Sequence, residues 1–346
     1  MSKFIACLFI VSMGISSCDS ADDPSPSEYN AILSNLATNV ITATYDDLND
    51  AAAELLDAVT GYAESSTQAR LNAAQSAWVA AREPWEASEG FLFGPVISEG
   101  YNLALDTWPI SKADLDDVMG RPVVLSVNYV SDLLGNEKGY HTIEFLLFGA
   151  DGGKEPLDFT QREIAYLVAA TQVLKNTTQA LLDTWAVGGG NFGANLIDAG
   201  TTGSVYPSET VAMQLVVESL ISLADDVANT KIETPLATQD AFSAESRFSR
   251  NSVNDFLHNI QSIRNVYTGD YGTVGGEGLA EFIARQDAAL NERFAGELDI
   301  ATAAIEAIPE SFRDALVADP DAIVRAQVAV FAVHETLVER IRPLIR

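Results

Sequence analysis

The sequence predicts an all-α protein of two helical-bundle domains packed side by side. Three observations carry this expectation. Apolar residues recur at three- and four-residue spacing over long stretches, period-two alternation is scarce, and a long glycine-rich stretch interrupts the pattern near the middle. Leu33, Leu36, Val40, Ile41, Tyr45, Leu48 and Ala52 form one stripe. Ala212, Leu215, Val216, Leu220, Leu223 and Val227 form a second, and Phe256, Ile260, Ile263 and Tyr267 a third. Comparable periodic segments fill roughly 158–186, 279–307 and 321–345. Val123 to Val127 is rich in β-branched residues, yet it stands alone between helical segments, and a lone strand has nothing to pair with. Glycine-rich stretches lie at 149–153, 188–203 and 269–278. The middle one contains Gly188-Gly189-Gly190 and separates an N-terminal bundle over 29–187 from a C-terminal bundle over 205–346. No period of about 34 to 47 residues recurs three times, which argues against a helical-repeat array.

The N-terminus and the charge balance restrict the function classes. Lys3, the apolar run Phe4 to Met13 and the ending Ile15-Ser16-Ser17-Cys18 read as a signal peptide over 1–17 that resembles a bacterial lipobox. Cys18 is then the lipid attachment residue, followed by a polar, Pro-rich tether over 18–28. This places the chain at the bacterial cell envelope, lipid-anchored at the outer membrane, its periplasmic face or the cell surface. No other apolar stretch reaches the roughly 20 residues of a membrane span, so the lipid is the one membrane contact expected. With Cys7 in the removed segment and Cys18 lipidated, no thiol remains for a disulfide or a nucleophile. The 346 residues carry 49 Asp and Glu against 20 Lys and Arg, a net charge of −29, with 47% hydrophobic residues. That composition folds, and it lacks the basic footprint that nucleic acid requires. It attracts cations, although solubility alone can favour such a surface.

Three segments could carry chemistry. In Gly139-Tyr140-His141-Thr142-Ile143-Glu144-Phe145-Leu146-Leu147-Phe148-Gly149, His141 and Glu144 share one face of an otherwise apolar helix. An imidazole and a carboxylate held inside either bind a cation or are satisfied by hydrogen bonds and a counter-charge. Mixed nitrogen and oxygen ligation suits iron, zinc or copper, whereas calcium and magnesium prefer oxygen alone. A zincin motif is excluded because residue 145 is Phe, and the other histidines, His258 and His334, both lie in the second half. In the second segment Arg82, Glu86 and Glu89 fall at i, i+4 and i+7 beside Trp78 and Trp85. Arg82 paired with Glu86 leaves Glu89 free as a metal ligand or as a partner for His141; a solvated Arg-Glu face is the alternative. In the third, Glu245 to Asn259, Ser249 is placed to cap a helix on which Asp255, His258 and Asn259 line one face, unless that helix is a plain surface one. No Ser/His/Asp order, Walker loop or dinucleotide fingerprint is present.

Taken together, these motifs resemble the imelysin-like family, also grouped as M75 peptidases. The Gly139-x-His141-x-x-Glu144 segment is similar to that family's GxHxxE signature. Trp78, Arg82, Pro84-Trp85-Glu86, Ser88-Glu89 and Phe91-x-Phe93-Gly94-Pro95 are similar to its upstream segment. Asp106-x-Trp108-Pro109 and Ser249 to Asp255, ending at Asn265-Val266-Tyr267-x-Gly269, follow in the family's order, so the likeness runs from about residue 30 to the C-terminus. The resemblance implies an envelope lipoprotein of two helical bundles with a site near their junction. Such relatives include iron-uptake components and proteins named as metallopeptidases. The nitrogen and oxygen donor set with spare carboxylates on a tethered protein makes the expectation a non-catalytic transition-metal site, iron first and zinc as the alternative, serving metal or iron uptake beside other components of such a system. The expected ligands are His141 and Glu144, with Glu89, Glu86 or Asp255 completing the shell. Gly139, Arg82, Trp85, Trp108, Ser249 and His258 are expected to support them. Two other readings stay open: a zinc metallopeptidase using the His141-Glu144 pair, and an interaction module in which His141, Glu144 and Arg82 form a polar docking network.

Overall fold

The computed structural model describes residues 26–309 and 311–346. The signal segment, Cys18 and the tether up to residue 25 lie outside the described residues. The chain is all-α, as the periodicity predicts. In the first half, Pro26–Asn35 runs through a π turn at Leu36–Thr42 into Ala43–Glu64, together α1, followed by α2 (Gln68–Glu86), α3 (Gly139–Phe148) and α4 (Gln161–Trp185). Both α1 and α3 pack against α2 and α4. In the second half, α5 (Glu209–Asp225) passes through a π turn at Asp226–Ile232 into Glu233–Thr238. It is followed by α6 (Ser252–Thr268), α7 (Ala288–Glu306) and α8 (Pro320–Thr336). Here α7 packs on α6 and α8, while α5 packs on α6 and α8.

Local chemistry sets the helix starts. Thr160 accepts from Glu163 N–H while the Glu163 carboxylate accepts from Thr160 N–H, a capping box that opens α4. Ser208, Asp287 and Asp319 cap α5, α7 and α8 through their side-chain oxygens. The β-branched run at 123–127 makes no strand: Val124 is exposed, and Val127–Ser131 is a short helix capped by Ser126. Among the described residues the strands are a small antiparallel hairpin, Asp270–Tyr271 with Val274–Gly275, inside the third glycine-rich stretch.

The three apolar stripes are buried apart from half-buried Leu215, and one contiguous apolar core runs through both halves. The middle glycine-rich stretch is itself packed. Phe192 lies edge-on to Trp185 and Tyr206, Leu196 is buried, and Asn30 Nδ2 donates to the Ile197 carbonyl at 2.7 Å. The halves meet where α2 packs on α6, α1 on α5, and the Glu89–Phe91 turn on both α5 and α6. Gly90 permits this last approach. Its N–H donates to Ser262 Oγ at 2.8 Å, and an added Cβ would sit 2.7 Å from that oxygen.

Candidate metal centre

The geometry of the site starts with a glycine. Gly139 has φ +78°, and a Cβ there would strike the Leu105 carbonyl and sit 2.8 Å from that of Ala104. A bare backbone lets the start of α3 press onto residues 104–105, which brings Asp106 opposite His141. Nδ1 of His141 lies 3.0 Å from Glu144 Oε2, and Nε2 lies 3.0 Å from Asp106 Oδ1, though not aligned for a hydrogen bond. Oε1 of Glu144 accepts three further bonds, from Phe248 N–H at 2.9 Å, Ser249 N–H at 2.8 Å and Ser249 Oγ at 2.8 Å. Glu144 thus ties α3 to the loop before α6 and fixes the imidazole from behind.

Arg82, on α2, is the hub. Its Nη1 donates to Asp106 Oδ1 at 2.6 Å, Nη2 contacts Glu86 and reaches Glu245 Oε1 at 3.3 Å, and Nε lies 3.5 Å from Asp255 Oδ1. The guanidinium also lies over the Tyr140 ring at 5.2 Å, and Trp85 Nε1 donates to Asp106 Oδ2 at 2.6 Å. From the second half, Lys231 donates to Glu89 Oε2 at 2.6 Å and Glu86 Oε2 at 3.1 Å, and lies 3.1 Å from Glu245 Oε1. Asn259 Nδ2 donates to the same two oxygens, at 2.7 Å to Glu86 and 2.9 Å to Glu89. Trp108 Nε1 donates to the Ala244 carbonyl at 3.2 Å and so steadies the backbone beside Glu245.

The cluster holds the carboxylates of Glu86, Glu89, Asp106, Glu144, Glu245 and Asp255 against the cations Arg82, Lys231 and a protonated His141, all with side chains at most 8% exposed. Acids therefore outnumber bases in a dry place, and the proton affinities reflect it. Burial and Glu86 push Glu245 up to about 8. Burial also pushes Asp255 up to about 6 against the pull of Arg82, and burial with Glu86 pushes Glu89 well above the usual carboxylate range. Despite its burial, Asp106 is held well below that range by Arg82 and His141, while Asp106 overcomes burial to raise His141 to about 10.

Three sets of side chains bring potential ligand atoms within 4.8 Å of one another: Asp106, His141 and Glu245; Glu86, Glu89 and Asp106; Glu86, Glu245 and Asp255. Glu245 Oε2 and Asp255 Oδ2 are buried without a hydrogen-bond partner. Mixed nitrogen and oxygen donors with unpaired acceptors fit a transition-metal ion.

Several residues stand differently from the sequence-based expectation. Glu89 is not free and does not meet His141, because Lys231, a cation the spacing argument did not include, takes it. Both oxygens of Glu144 are occupied, so it orients His141. Ser249 does not cap α6: its hydroxyl and N–H go to Glu144, and the helix starts at Ser252. Asp255 and Asn259 face inward, but the His258 side chain is 30% exposed, with Nδ1 on the Asn254 carbonyl and Nε2 4.0 Å from Glu83. Lys231 carried a signal that went unread, since it falls four residues after Val227 on the α5 stripe, where a residue with an apolar face is due. Asp106 and Glu245 were visible only as members of longer motifs.

The family described as imelysin, peptidase M75, matches residues 41–340. Iron-regulated protein A of Synechococcus elongatus is 32% identical over 322 residues, covering 92% of this chain and 87% of that protein. The crystal structure of an iron-regulated protein A precursor from Parabacteroides distasonis superposes with a TM-score of 0.85 at 23% identity, covering 94% of this chain and 97% of the other. An imelysin-like protein from Psychrobacter arcticum superposes with a TM-score of 0.78 at 16% identity, over 94% and 98% of the two chains.

Proposed function

The chain belongs to the imelysin family, and from that premise we propose that it is a non-catalytic binder of a transition-metal ion, iron first, working in metal uptake at the cell envelope. His141 Nε2 and Glu245 are the ligands of this reading, joined by Asp106 once the ion displaces the Arg82 donor from its Oδ1, with Asp255 and Glu86 alongside. The observation that carries it is the pair of unpaired buried oxygens on Glu245 and Asp255, beside an imidazole nitrogen that makes no aligned hydrogen bond. A cation there would take up the excess negative charge of the cluster, and its entry would release the protons held by His141 and Glu245. Iron is favoured over zinc by the name of the Synechococcus elongatus relative and by the carboxylate-rich donor set. Lipidation at Cys18 would hold the chain at the envelope, where other components of an uptake system could deliver or receive the ion.

The metallopeptidase reading is less well supported. A hydrolytic zinc site needs an open position and a separate general base, and Glu144, the natural candidate, has both oxygens engaged. Isothermal titration of Fe2+ and Zn2+ into metal-free protein tests the proposal. One site that H141A and E245Q abolish supports it. No saturable binding in the wild type overturns it.

A specific observation favours a second role for the same cluster. Arg82 and Glu86 from the first half interlock with Glu245, Asp255 and Lys231 from the second, so the network also docks the two bundles. A variant that loses thermal stability while keeping full metal affinity would identify a purely docking residue.

A further inference from the structure

Arg82 touches four carboxylates. Arg247 touches none within 4.0 Å among the described residues. Its guanidinium lies against the rings of Phe248 at 4.4 Å and Phe242 at 5.2 Å, donates to the Phe242 carbonyl and, at 3.4 Å, to that of Ile110, and leaves Nε buried without a partner. Glu144 and Asp240 act on it only at longer range. A half-buried guanidinium that lacks a counter-ion is a charge without compensation. Arg313 stands next to it, with Nη1 donating to the Arg247 carbonyl at 3.3 Å and, among the described residues, its nearest carboxylate, Asp314, 4.0 Å away.

Both arginines line a surface cavity of about 220 Å3, together with Ala150, Asp151, Ala241 and Phe242. Asp151 is exposed, the one acid among these residues, and Phe242 presents an exposed aromatic ring. The volume lies below the range of about 300–1,000 Å3 usual for larger ligands, which restricts the occupant to a small molecule.

We propose that this cavity binds a small polycarboxylate anion of the citrate type, with Arg247 and Arg313 each holding one carboxylate. The guanidinium of Arg247 is planar and lies beside the rings of Phe242 and Phe248, a flat setting that suits a carboxylate better than a tetrahedral phosphate. Two neighbouring arginines call for at least two negative groups on one ligand. The site is separate from the cluster around His141 and stands whether or not that cluster binds metal.

Isothermal titration of sodium citrate, and separately of inorganic phosphate, into full-length chelator-treated protein tests this, with R247Q, R313Q and H141A as variants. We expect one saturable citrate site, phosphate binding weaker than citrate, and a loss of at least tenfold in citrate affinity in both R247Q and R313Q. R313Q alone decides the matter if R247Q does not fold. H141A retains citrate binding even where it loses metal, so the two readings fail separately. No saturable citrate binding, phosphate tighter than citrate, or wild-type affinity in R313Q overturns the proposal.

Discussion

In the buried network Oε2 of Glu86 and Oε2 of Glu89 have two donors each, Lys231 and Asn259, while Glu245 Oε2 and Asp255 Oδ2 have none. The two pairs share residue types and burial. They differ in whether their acceptors are satisfied. A satisfied buried network rigidifies, and an unsatisfied one costs stability unless something else pairs it. In the proposed reading Glu86 and Glu89 therefore latch the two halves together, and Glu245 and Asp255 are where a cation would be held.

Substitutions at the shared hub should have the largest effect. R82M strands four buried carboxylates, and we expect it to lose about 3–5 kcal/mol of unfolding free energy in urea titration, with K231M in the lower part of that range. Next comes the ion: at about 100 times its Kd, bound metal should add about 2.7 kcal/mol to wild-type stability and add nothing in D106N or E245Q. Without metal, E245Q removes one of the repelling acids and should change stability by less than about 1 kcal/mol. If E245Q cost as much as R82M, the distinction between the satisfied and unsatisfied pairs would collapse.

The metal-free protein should also show a pH trend. Glu245, raised from 4.5 to about 8, favours the folded state when protonated, so its contribution falls as pH climbs through that interval. His141, raised from 6.5 to about 10, contributes fully below about 6.5 and loses that contribution as pH rises through about 10. Both trends run the same way, so Tm should decline from pH 6 to 9. Metal affinity should increase over the same interval, by about tenfold per unit for each proton displaced. A Tm that rises with pH in differential scanning calorimetry would contradict the assignment of protons to these two groups.

Much of this was legible in the sequence because it depends on local spacing. The apolar stripes gave the all-α class, and the His141-Glu144 spacing gave one buried face. Arg82 with Glu86 was recoverable for the same reason, being one helical turn apart. The partners that complete the site come from distant segments: Asp106 is 35 residues before His141 and Glu245 is 104 after it. No periodicity reports such pairings; Gly139 sets the first by allowing a backbone contact, and Trp108 supports the second. Lys231 was missed because it sits in a polar run, Asn229-Thr230-Lys231-Ile232, where solvent exposure is the natural reading. Its place on the stripe of α5, within a π turn, is what buries it. His258 failed in the opposite direction: three residues after Asp255, it lies just beyond the edge of the buried face.

The most direct test is anomalous diffraction from crystals equilibrated with Fe2+. The account predicts one strong peak bounded by His141 Nε2, Asp106 and Glu245, at about 2 Å from its ligand atoms, and absent in H141A. A saturated protein whose ion lies elsewhere, with those three side chains undisturbed, would contradict it.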